Sequence, residues 1–426
     1  RFCATRAFGS FTTEKAIPLI AKRLQDSIIE IQTEAAYVAG QLGDSSLVEN
    51  LLAAFQTVIS QEVDHKLNFH ILEAIGKIAP ENYQRLLASA KAYDPEFEYL
   101  NLGRAHAFYQ FALRGITSDR ATAEMIKFVT EAYPENARLM AANYLYRASD
   151  LELGDYKFQL LQTMVKEEDP NIRMALASAV GKTGSTDILA PFLDFLKKEK
   201  DYRVVINGIK ELDNFTYIQV IEELLNLTQN SNDYIALTAA EELKDIGEMG
   251  DAGFYLEYAN SAKSPYVSRA IRGSILHLIG RYFAGTRRLI ERQLVEEFNN
   301  AKNEYVRADI ISTLGENPYL YQQVHDLGYK DSSVIVKSKS VESLGYIVSD
   351  YITDQSRTQS NFLVSKTTPF LIEAIESEDS GMIAAAANAL SATNQDIFNY
   401  NFDESLFRNA IEKLDMPENL EAIVYL

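Results

Sequence analysis

Along this chain apolar residues recur three and four positions apart, the spacing that sets one face of a helix against a core. The stretch DPNIRMALASAVGKTG (169–184) shows the pattern in full. Counted from Ile172 as offset zero, a basic residue stands at offset one and small or apolar residues at four, five, seven and eight. Glycine follows at nine and again at twelve. The same arrangement starts again at Ile31, Leu67, Gly103, Ala137, Val204, Ile235, Ile271, Val306, Val336 and Met382. Successive starts lie 30 to 36 residues apart, with one interval of 46. Between them run other amphipathic segments, such as 16–24, 46–55, 121–129, 188–196, 218–227, 289–298 and 368–377. Each unit thus reads as a helix A, a short turn and a helix B. SSVIVKS (332–338) alternates like a strand but coincides with the start of a B helix, and reads as helix.

A single helix pair cannot bury its own apolar faces, whereas stacked pairs bury a continuous core. Ala and Ser at the inner offsets let neighbouring helices approach closely. Gly at nine and twelve is expected to end helix B in a left-handed conformation. Asp169 and Pro170 supply an N-cap and a first-turn proline.

The period and the D-x-x-[VI]-R opening of helix B resemble the HEAT-repeat family. The tetratricopeptide alternative lacks its aromatic and proline signature here. The resemblance implies an all-α, right-handed α-solenoid of stacked antiparallel helix pairs, about eleven repeats of ~34 residues. It spans 1–426 as one continuous array. RFCATRAFG already fits helix B and AIVYL falls inside another helix, so the array is expected to be cut mid-repeat at both ends and to belong to a longer protein. The long interval holds an expected inserted loop at 350–368, and NQDIFNYNFDES (394–405) is a second polar-aromatic excursion.

Composition narrows the function. The chain is 47% hydrophobic and 24% charged, a globular balance. A net charge of −19 opposes broad binding to nucleic acid. Arg281, Arg287, Arg288 and Arg292 form the one compact basic group. The lone Cys3 permits neither an intramolecular disulfide nor a cysteine-rich metal site. No apolar run is long enough to span a membrane.

Catalytic signals are weak. His65, His70, His106, His277 and His325 show no i, i+4 pair of the kind that binds zinc on a helix. Adjacent acidic pairs such as Glu167–Glu168 and Glu296–Glu297 point in different directions on a helix and make poor acid–base dyads. Phosphate-loop, nucleophile-elbow and zinc-protease motifs do not occur. No cofactor or metal is expected. Basic residues at offset one, among them Arg138, Arg173, Arg272 and Arg307, suggest a structural ladder, with Asp169–Arg173 the clearest local pair and Gln32, Asn68 and Val205 interrupting it.

Offsets two, three and six of helix B are not needed for the core and would line the concave side. Offset six holds no aliphatic residue, which predicts exposure. Near the N-terminal end these offsets collect Tyr37, Phe69, His70, His106, Tyr109, Leu139 and Met140. Such a surface suits an extended peptide or a partner helix, although some of these side chains could instead pack between B helices. The expected function is a non-catalytic scaffold or docking subunit for a protein partner, with no nucleic acid. A HEAT-like DNA glycosylase is opposed by the acidic charge and the absence of Trp, and a bilin lyase lacks a motif for its chromophore pocket.

RAHAFYQFALRGI (104–116) and ARLMAANYLYRA (137–148) also resemble the helical array of bacterial envelope lipoproteins that join HEAT repeats to a cyclophilin-type peptidyl-prolyl isomerase domain. That resemblance implies a helical arm in the periplasm or cell envelope, holding a large envelope complex or unfolded clients. A lipid anchor and the enzyme would lie outside this segment. No cyclophilin sequence is present, so no isomerase residues carry over.

Overall fold

The computed structural model describes residues 1–10, 14–349, 357–391 and 404–413. Among them every regular element is helical. They fall into two compact units, 1–215 and 216–426.

The first unit opens with α1 (Phe2–Ala7). Six helix pairs follow: α2 (Ile17–Arg23) with α3 (Ile29–Leu42), α4 (Val48–Ala54) with α5 (Lys66–Ile78), α6 (Glu81–Ser89) with α7 (Glu98–Leu113), α8 (Asp119–Thr130) with α9 (Glu135–Arg147), α10 (Lys157–Lys166) with α11 (Pro170–Gly181), and α12 (Thr186–Lys198) with α13 (Tyr202–Ile209). The second unit holds five more: α14 (Tyr217–Leu227) with α15 (Asp233–Ile246), α16 (Ala252–Ser261) with α17 (Pro265–Ile279), α18 (Ala284–Asn300) with α19 (Glu304–Gly315), α20 (Tyr321–Val324) with α21 (Val334–Ser349), and α22 (Arg357–Glu376) with α23 (Ser380–Ser391), then α24 (Glu404–Lys413). Within each unit a B helix packs on its own A helix and on the B helices of adjacent pairs, in the runs α3–α5–α7–α9–α11–α13 and α15–α17–α19–α21–α23. This is the solenoid-like arrangement of HEAT repeats.

The sequence dictates the helix starts. Asp169 Oδ1 accepts from the backbone N–H groups of Asn171 at 2.7 Å and Ile172 at 3.2 Å, and Pro170 occupies the first turn. Asp201, Asn232 and Asn303 cap α13, α15 and α19 in the same way. The apolar offsets fill the core. Ile71, Phe108, Phe111, Ala141, Ile172 and Leu176 are fully buried, each large aliphatic or aromatic side chain contributing about 1.5–3 kcal/mol.

Two expectations need correction. Glycine at offset nine ends helix B with a positive φ only in α17, where the cap Gly280 has φ 46°. Gly40 and Gly76 lie inside their helices, where the next B helix crosses closest, while Gly181 and Gly315 are the last residues of theirs and are followed by right-handed caps. A Cβ on Gly76 would stand 2.5 Å from the Ala107 carbonyl oxygen and 2.7 Å from Ala107 Cα. Offset twelve supplies a left-handed turn at Gly43 with φ 74° and Gly184 with φ 56°, whereas Gly247 at the same offset is extended. The stretch read as a loop at 350–368 is helical from Arg357 onward, because its later residues join the amphipathic segment that follows. Residues 350–356 lie outside the described residues, as does most of the 394–405 excursion.

Candidate partner-binding face

The face in question belongs to the first unit and is built by α3, α5, α7 and α9. Close crossings create it. Gly76 meets the α7 backbone, and a Cβ on Gly103 would come within 2.9 Å of Phe69 Cα. Helices held this close crowd the long side chains at offsets two, three and six against one another.

Tyr37, Phe69, His70, His106, Tyr109, Leu139 and Met140 are accordingly all half-buried. Four of them form an edge-to-face row. Ring centroids lie 5.9 Å apart for Tyr37–His70, 4.7 Å for Phe69–His70 and 5.2 Å for Phe69–His106. Such pairs contribute about 0.5–1.5 kcal/mol beyond their buried area. Tyr109, Leu139 and Met140 flank the row on α7 and α9. The exposure expected at offset six fails at Ser178, which is buried and packs toward Asn207.

Two charged residues complete the face, Glu73 at offset six and Lys77, which sequence reasoning missed. Glu73 accepts a hydrogen bond from Lys77 Nζ at 2.8 Å, and its other oxygen lies 3.5 Å from His70 Nδ1. Lys77 also sits 5.9 Å over the Tyr37 ring. Burial works to raise the Glu73 carboxyl, yet His70, Lys77 and more distantly His106 hold it down at about 2. Burial pushes the His106 imidazole below its ordinary value. The face is therefore aromatic, with an ionised carboxylate at its centre.

The second unit repeats the chemistry without the aromatic row. Glu316 lies 3.4 Å from Lys244 Nζ and 3.6 Å from His277 Nδ1. It lines a cavity of about 230 Å³ with Lys244, Ser312, Lys339 and Glu342. Among the described residues no three His, Cys, Asp or Glu side chains converge to hold a metal ion.

The arginine ladder is real but uses partners other than those expected. Arg138 forks onto Glu167 at 2.8 and 3.1 Å, Arg173 onto Glu199 at 2.8 and 3.2 Å, and Arg307 onto Asp331 at 2.7 and 2.9 Å. Arg1 approaches Asp26 at 3.4 Å. Each carboxylate stands five residues before the next unit's offset zero, and also accepts from backbone N–H groups of its own turn. One side chain thus fixes a turn and ties two units. Asp169 caps α11 and is not the partner of Arg173, a correction that follows from its two backbone bonds. Among the described residues Arg272 has no carboxylate within ion-pair distance. It reaches Asn260, Ser268 and Gln293 instead, because the position five residues before the next unit's offset zero is Ala301. Gln32 and Asn68 make no such fork onto the next unit; each donates instead to a carbonyl preceding its own helix, of Asp26 at 2.7 Å and Gln56 at 2.9 Å. Sequence reasoning also missed Arg104, which is fully buried and forks onto Glu124.

Residues 156–244 match the family model described as HEAT repeats. No curated protein sequence matches the chain. Among solved structures, importin beta in an ammonium sulfate condition is 11% identical, with a TM-score of 0.50 over 97% of this chain and 56% of that one. Kap121p is 10% identical, with a TM-score of 0.41 over 98% and 53% of the two chains. Kap95p, in a structure described for its binding to RanGDP, is 11% identical with a TM-score of 0.43 over 100% and 60%. The chain therefore spans little more than half the length of these proteins, and the likeness is one of fold.

Proposed function

We propose that this HEAT-repeat chain is a non-catalytic protein-binding scaffold that holds an extended segment or helix of a partner along the B-helix face of its first unit. The observation that supports this reading is the half-buried row of Tyr37, Phe69, His70 and His106, flanked by Tyr109, Leu139 and Met140. Rings already fixed by their neighbours lose little entropy on binding and offer apolar area at once. Glu73, ionised and partly enclosed, adds an acceptor for a donor of the partner and sets its register.

The test uses the partner captured on the wild-type chain, purified and titrated back. Tyr109→Ala combined with Phe69→Ala is expected to weaken binding by about 2 kcal/mol, roughly thirtyfold, with far-UV circular dichroism unchanged. Unchanged affinity in a helical double variant overturns the assignment. Phe69 contacts two rings, so Tyr109→Ala alone serves as the variant least able to disturb packing.

A further inference from the structure

The turn between α17 and α18 carries a feature that folding does not require. Phe283 has φ 46° and ψ 49°, a left-handed conformation that costs a non-glycine residue about 1–2 kcal/mol. Phe283 is 49% exposed and Tyr282 51% exposed, so core burial does not offset the cost. A glycine at this position would serve the backbone better.

The surroundings are basic in an acidic molecule. Lys263 to Val295 holds seven basic residues and one acidic residue, Glu291, while the chain as a whole carries −19. Arg281 lies 4.9 Å over the Tyr282 ring and donates to its hydroxyl at 2.8 Å. Arg287 donates to the Gly280 carbonyl at 3.0 Å. Arg288 and Arg292 are exposed one turn apart on α18. Among the described residues none of Arg287, Arg288 and Arg292 has a carboxylate within ion-pair distance, whereas Arg138, Arg173, Arg269 and Arg307 all do.

We infer that this turn docks on an anionic lipid surface, with Tyr282 and Phe283 seated among the headgroups and Arg281, Arg288 and Arg292 on lipid phosphates. A solvent-facing turn that presents two adjacent rings fits a broad, laterally continuous surface better than a single peptide, which is normally received in a groove. Aromatic rings settle at the headgroup level, and each basic side chain there adds about 1 kcal/mol. The rest of the acidic surface is screened beyond about 8–10 Å at physiological salt. This contact is peripheral, since no helix among the described residues is long and apolar enough to cross a membrane.

The chain has no Trp, so Tyr282→Trp installs a single reporter. With the whole chain, vesicles of phosphatidylcholine and phosphatidylglycerol in equal parts should blue-shift its emission and sediment the protein. Vesicles of phosphatidylcholine alone should do neither. Each arginine of Arg281, Arg288 and Arg292 replaced by Gln should weaken binding roughly fivefold. Phe283→Gly relieves the backbone, so it should bind anionic vesicles more weakly while folding at least as stably. Equal binding to both vesicles, no binding to either, or full binding by Phe283→Gly overturns the inference. So does a tip that takes polyglutamate or duplex DNA but no vesicle.

Discussion

Gly76→Ala is the most direct test of how the units are spaced. In an unobstructed helix this change stabilises by about 1 kcal/mol, because Ala is the better helix former. Here the new methyl would stand 2.5 Å from the Ala107 oxygen, 2.7 Å from Ala107 Cα and 2.9 Å from Gln110 Cβ. Unstrained carbon contacts begin at about 3.5 Å, and two of these atoms are backbone that cannot rotate away. The crossing of α5 and α7 must therefore open by about 1 Å, at a cost of about 1–3 kcal/mol. Opening it also loosens the Phe69–His106 contact. We expect a net loss of about 1–2 kcal/mol. Gly43→Ala serves as the control, since it has φ 74° and no atom within 4 Å, so it meets only the left-handed penalty. Repeat arrays need not unfold in one step, so the assay is amide hydrogen exchange resolved to α5 and α7, supported by urea unfolding. Faster exchange confined to those helices is the expected result. A Gly76→Ala chain that gains about 1 kcal/mol with unchanged exchange would refute the close-crossing account.

Two further predictions follow from the charged residues. Double-mutant cycles should give a coupling of about 1–3 kcal/mol between Arg173 and Glu199 and near zero between Arg173 and Asp169, while Asp169→Ala alone costs about 1 kcal/mol as a lost cap. A large Asp169–Arg173 coupling would restore the local pair. In acid, Glu73 should contribute stability that is complete above its ordinary value of 4.5 and lost as pH falls toward about 2, because the unfolded chain takes up the proton first. His106 acts with the same sign just below 6.5, since burial disfavours its charged form. Urea midpoints measured against pH should flatten in the lower window for Glu73→Gln and in the upper window for His106→Gln. Identical curves for wild type and both variants would show that the cluster is not closed in solution.

Most of the fold could be read from the sequence because its causes are local. Helix periodicity, the Asp169–Pro170 cap and the repeat interval each depend on residues within a few positions of one another. The same locality made the positions of the face residues legible. It left open whether they face solvent or each other, which depends on how close α5 comes to α7.

Tertiary structure decided everything that spans units. The partner of Arg173 is 26 positions away at Glu199, and the nearer Asp169 is already used by backbone N–H groups. Gly40 and Gly76 look like helix terminators because glycine commonly ends helices, and only the neighbouring backbone shows that they are contact points. Arg104 is buried because Glu124 on α8, the A helix of the next pair, neutralises it, and no spacing rule links the two. Phe283 is an ordinary residue in the sequence; its positive φ and exposed ring make it conspicuous only once the chain is folded. Short-range order fixed the helices, and the distances between them decided which side chains were left for a partner.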